Sequence, residues 1–120
     1  MDKTQAIAMI VTLTLIVGDY ITGVAKAIAA HDINSEKMRT GLWHKATYIF
    51  AVSLGVLIDF AQQHIDLGFS VPIATAACIW ISLTEITSIL ENLVEINPEL
   101  ADSPVLDLFH TNKTNPNPNK

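Results

Sequence analysis

Gln5 to Ala30, QAIAMIVTLTLIVGDYITGVAKAIAA, carries only two charged residues, Asp19 and Lys26. Its uncharged part, Thr4 to Gly18, would reach about 22 Å as a helix rising 1.5 Å per residue, whereas a bilayer core is about 30 Å thick. A helix here spans a membrane only if Asp19 goes in with it. Ala46 to Ile65 has the same property. Its clean part, Ala46 to Ile58, covers about 20 Å, so Asp59 must enter as well. Ser70 to Ile96 alone has a nearly sufficient clean run, Leu67 to Thr84, at about 27 Å. Buried helices of a soluble bundle should show a charged face on every turn. Residues 6–17 and 71–84 show none.

Composition agrees with a membrane. The chain has 120 residues, a mass of 13.1 kDa and a mean hydropathy of +0.37; half of it is hydrophobic and 16% is charged. Soluble domains carry about 25% charged residues. The expected fold is an all-α integral membrane protein with three transmembrane helices, at about 5–30, 46–65 and 70–96. They make one domain over 1–110, followed by a flexible polar tail over 111–120. His31 to Lys45 is expected as a charged connector, and Val105 to Phe109 as a short amphipathic turn. The net charge of −5 offers no basic face to nucleic acid. Cys78 is alone, which excludes an internal disulfide, and the four histidines are scattered, so neither a metal nor a cofactor is expected. No nucleophile–base pair appears, so the chain is not expected to be an enzyme. Ala25-Lys26-Ala27 resembles a signal-peptide cleavage site, but Asp2 beside Lys3 and the intervening Asp19 argue against one.

Lysine and arginine set the orientation. With three spans, the N-terminus and the 62–70 turn share one side, which holds only Lys3. The other side holds Lys37, Arg39, Lys45, Lys113 and Lys120, with Lys26 at its margin. The N-terminus is therefore expected outside and the C-terminus in the cytoplasm. Lys37, Arg39 and Lys45 are expected to set topology, either as a solvated basic segment or in contact with lipid head groups, and Trp43 and Tyr48 suit an interfacial belt.

The polar residues within the spans fall on stripes. Gln5, Thr12, Asp19 and Lys26 recur every seven residues, one face of a helix. Gly55, Asp59, Gln62 and Asp66 share a face, as do Thr75, Cys78, Ser82, Glu85, Ser88, Asn92 and Glu95. A carboxylate at mid-membrane costs about 2.5–3.5 kcal/mol, so these faces should meet protein or water rather than lipid. Simple glue between helices is one account, although such bonds are worth only about 0.6 kcal/mol each. Faces wetted by assembly of several chains is the other, and the favoured one. Asp19 and Glu85 lie at one depth, about 21–22 Å from the outer ends of their spans, a placement that requires water or a bound proton. Lys26 and Glu91 share a depth of about 31 Å and are expected to pair. Gly23 and Ala27 follow small-xxx-small spacing and are expected as helix-packing contacts.

Three local patterns then stand out: Asp19-Tyr-Ile-Thr22-Gly23 with Lys26, Ser35 to Lys45 (SEKMRTGLWHK), and Glu85 to Asn92 (EITSILEN). In this order and spacing they resemble the phage lysis / toxin-secretion holin family (phi29-type and clostridial holins), over roughly residues 5–108. Asn97 departs from the glycine expected before the proline-containing segment. The resemblance implies a homo-oligomer that gathers in the host cytoplasmic membrane as a multi-pass protein. It then opens lesions at a set time, releasing an endolysin or a toxin and timing lysis. It implies functional coupling to an endolysin without direct contact, and it allows an antiholin; an inhibitory short form started at Met9 would rest only on the presence of that second methionine. It places Asp19 and Glu85 toward a lumen or an interface, with Lys26, Asp59, Ser88, Glu91 and Asn92 as further polar positions. Gly41 and Leu42 would restart the chain toward the second helix. A small ion or proton conductor and an anchoring subunit of a larger membrane complex remain as alternatives.

Overall fold

The computed structural model describes residues 2–109; His110 and the 111–120 segment expected as a tail lie outside them. Three long helices account for most of the chain. α1 runs Lys3–Ala29, α2 Ser35–His64 and α3 Ile73–Ile96, followed by a 3-10 turn at Pro98–Asp102 and a short α4 at Pro104–Phe109. No described residue is in a strand.

Each boundary has a local cause. The Asp2 carboxylate accepts from the Gln5 N–H at 2.7 Å and caps α1. After Ala29 the chain turns through His31, at φ 54°. Asn34 then caps α2, accepting from the Glu36 and Lys37 N–H groups. α2 ends before Gly68, at φ 79°, where an L side chain would be strained. Pro72 precedes α3, and Asn97 closes it while capping the turn that follows. The expected connector over 31–45 is mostly helix: α2 starts at Ser35 rather than near Ala46, and Gly41 and Leu42 sit inside it. Charge ends a run that lipid tolerates, but Glu36, Lys37 and Arg39 are good helix formers and nothing in the segment breaks the ladder.

α1 and α3 run parallel, with α2 antiparallel to both. α3 packs between the other two, most extensively against α1, while α1 and α2 touch least. The buried apolar core is small: Ile16, Val52, Cys78 and Ile81, with Ala8, Met9, Tyr48 and Val56 against it. Large apolar side chains point outward instead, among them Ile10, Phe50, Leu57 and Trp80. The buried set also includes Gln5, Thr12, Glu85 and Asn92. Such inverted polarity is what a hydrocarbon solvent demands. All three long helices have the length and apolarity to cross a bilayer. At 1.5 Å per residue they are about 40, 45 and 36 Å long.

Candidate functional site

The heptad of α1 organises the interior. Gln5, Thr12, Asp19 and Lys26 each open one polar layer, about 10 Å from the next along the helix. Against them stand Asp59 and Lys45 of α2, themselves in heptad register through Val52, and Cys78, Glu85 and Asn92 of α3. A shared seven-residue period keeps such seams facing one another.

In the first layer Asp59 is a cap supplied across the fold. α3 has no side-chain cap of its own. Asp59 of α2 fills the role, accepting from the Ile73 N–H at 2.9 Å and the Ala74 N–H at 3.1 Å. Gln5 Nε2 donates to the same carboxylate at 3.0 Å, joining α1. Gln62 steadies the turn by donating to the Val71 carbonyl at 2.9 Å and accepting from the Val71 N–H at 2.6 Å. The second layer is uncharged. Thr12 Oγ1 lies within hydrogen-bond reach of the Ala8 carbonyl, the Cys78 carbonyl and the Ser82 hydroxyl, at 2.8, 3.2 and 3.0 Å.

The third layer holds the charges. Lys45 Nζ donates to Asp19 Oδ2 at 2.7 Å and to Glu85 Oε2 at 2.8 Å. The Lys45, Asp19 and Glu85 side chains are 13%, 11% and 3% exposed. Asn92 Nδ2 adds bonds to Asp19 Oδ1 at 3.1 Å and to Thr22 Oγ1 at 3.0 Å. Asp19 and Glu85 thus share one level, as their depths implied, but a lysine stands between them. Lys45 is therefore corrected from a topology and head-group residue to the centre of the buried charge cluster. Its heptad relation to Asp59 was the signal in the sequence; reading 31–45 as a connector concealed it.

The fourth layer pairs Lys26 with Glu95 at 3.4 Å, where the side chains are 38% and 64% exposed. The expected partner Glu91 is exposed elsewhere on α3. One turn further along the helix, Glu95 stays on the face that meets α1. Gly23 is not a tight packing point within the chain, since a Cβ there would meet Asn92 Nδ2 at an ordinary 3.7 Å. The close approach is at Gly55, where a Cβ would lie 2.9 Å from Ala74 Cα. Ala27 is half-buried and lines a cleft. Tyr48 is partly buried against the core and meets the Trp80 ring edge-on at 6.2 Å, while Trp43 is exposed.

That cleft, of about 600 Å³, opens between the last turns of α1 and the first turns of α2. Asp19, Lys26, Lys37, Lys45, Glu85 and Ser88 are among its walls. Arg39 is exposed on the same stretch of α2. Every buried polar side-chain atom among the described residues has a hydrogen-bond partner. In a single chain the polar stripes therefore face one another and meet open space only along this cleft, so lining a continuous water path would require them to part. Among the described residues no group of three or more His, Cys, Asp or Glu side chains is placed to hold a metal ion.

A family model for the bacteriophage holin family matches residues 4–103, which takes in all three long helices and every polar layer. No curated protein and no solved structure matches the chain.

Proposed function

Since the chain belongs to the bacteriophage holin family, we propose that it accumulates in the host cytoplasmic membrane and then oligomerises into lesions that let an endolysin, or a toxin, leave the cytoplasm. The family is one of non-enzymatic membrane proteins that assemble within the bilayer. The observation that carries the proposal for this chain is the polar column enclosed by an apolar exterior. A closed copy presents Ile10, Phe50 and Leu57 to lipid and satisfies its buried polar groups internally. Such copies are tolerated in a bilayer while they accumulate. Their stripes are the surfaces that would face water once several copies rearrange into a ring.

The orientation we propose has the N-terminus outside and the C-terminus in the cytoplasm, with Lys37 and Arg39 near anionic head groups. The column crosses most of the bilayer, so the membrane potential acts on its charges. One unit charge moved through the whole field is worth about 2.3 kcal/mol per 100 mV. Collapse of the potential is then the trigger, and an antiholin sharing these faces would delay it. A small conductor finds less support: the buried apolar cluster of Ile16, Val52, Cys78 and Ile81 lies along the polar column and interrupts it.

Controlled expression in a bacterium carrying a cytosolic endolysin tests the proposal. The expected result is a delay, then abrupt loss of viability with release of cytosolic enzyme. Dissipation of a proton gradient without protein release would replace this reading with the conductor, and no effect in the absence of a further protein would replace it with the anchoring subunit.

A further inference from the structure

α2 is held unevenly along its length. Toward its C-terminal end the backbone approaches α3 at Gly55, Asp59 caps Ile73 and Ala74, and Gln62 exchanges two hydrogen bonds with Val71. Midway, Val52 enters the core and Tyr48 meets Trp80. Beyond Tyr48 the packing gives way to the 600 Å³ cleft. Among the described residues from Ser35 to Thr47, Lys45 alone hydrogen-bonds to another helix through its side chain. The link to α1 is residues 30–34, of which Ala30, His31 and Asp32 bond back to the last turn of α1 and Ile33 and Asn34 do not.

We propose that Lys45 is a latch. While it bridges Asp19 and Glu85, the N-terminal half of α2 stays closed on α1 and α3. When it lets go, that half turns about the Gly55–Ala74 contact and uncovers Asp19, Glu85, Ser88 and Asn92 to water or to the matching faces of neighbouring copies. Charge arithmetic explains why one side chain suffices. A single ammonium sits between two carboxylates, and without it the two acids confront each other in a site with little solvent. The motion stands on the geometry of one chain; its consequence, the time at which lysis begins, rests on the holin reading above.

The test pairs lysis onset with a thiol readout. In a Cys78→Ala background, Ser88→Cys places a half-buried thiol in the cleft, and a charged maleimide reports its exposure in isolated membranes. Lys45→Gln is expected to accumulate normally, to advance lysis and to raise labelling about tenfold or more. Lys45→Arg should keep both near the parent values. Should Lys45→Gln fail to accumulate, Lys45→Glu with Glu85→Lys decides. The double variant should regain the accumulation and slow labelling that Lys45→Glu alone loses, and failure to regain them overturns the latch. Unchanged labelling in an accumulated Lys45→Gln protein overturns it too. Faster labelling without lysis at any time sustains the latch and sinks the holin reading instead, so the two failures are distinct.

Discussion

Asp59→Ala separates a structural carboxylate from one that lines a lumen, because the two roles predict opposite signs. In the closed chain Asp59 accepts from two backbone N–H groups at the start of α3, from Gln5 and, at 3.4 Å, from Gln62. Loss of a helix cap costs about 0.5–2 kcal/mol, and here two N–H groups lose their acceptor, which places the cost near the upper end. Each glutamine bond adds about 0.6 kcal/mol, the average for hydrogen bonds inside membranes. The sum is about 3 kcal/mol of lost stability. Asp59→Asn, which keeps one acceptor oxygen, should lose about half of that. The assay is unfolding by added dodecyl sulfate in mixed micelles, followed by ellipticity at 222 nm. A carboxylate aimed at a lumen would behave otherwise, since its removal relieves a desolvation cost and leaves stability unchanged or raised. An Asp59→Ala protein as stable as the parent would refute the capping argument.

Other substitutions probe the remaining layers. Gly55→Ala sets a Cβ 2.9 Å from Ala74 Cα, where backbone must give way. The overpacking cost of about 1–3 kcal/mol exceeds the roughly 1 kcal/mol gained in helix propensity, so the same titration should show net destabilisation. Gly41→Ala meets nothing within 4 Å and should stabilise α2 by up to about 1 kcal/mol. Thr12→Val removes the hydroxyl that faces Ser82 at nearly constant volume and should cost about 0.6–1.7 kcal/mol. Lys26→Gln breaks a pair in which both partners are substantially exposed, so its effect on stability should stay below about 1 kcal/mol. Protease added to the outer face of cells should spare the C-terminal segment, and cleavage there would reverse the proposed orientation.

Much of this arrangement is visible in the sequence because hydrocarbon makes polar placement expensive. The spacing of Gln5, Thr12, Asp19 and Lys26 has few solutions besides an inward seam, and each of the four opens a layer. Depth counting also put Asp19 and Glu85 at one level. Partner choice was harder to see. Pairing Lys26 with Glu91 needed depth alone, whereas Glu95 wins because helix phase turns Glu91 outward. Lys45 was hidden because charge marks the edge of an apolar run and says nothing about whether the helix continues beyond it. Asp59 carried a further ambiguity: a carboxylate in an apolar run looks the same whether it faces water or caps a helix that begins at a proline. Only the fold brings Ile73 and Ala74 to it.

The central claim is that assembled copies of this chain open a path for protein through the membrane. Its most direct measurement is the optical density of a culture that expresses the chain together with an endolysin lacking any export signal. The expected result is a long plateau, then abrupt clearing only when both proteins are present, with both found in the cells throughout the plateau. Continued growth despite full membrane accumulation, or clearing by the endolysin alone, would contradict it.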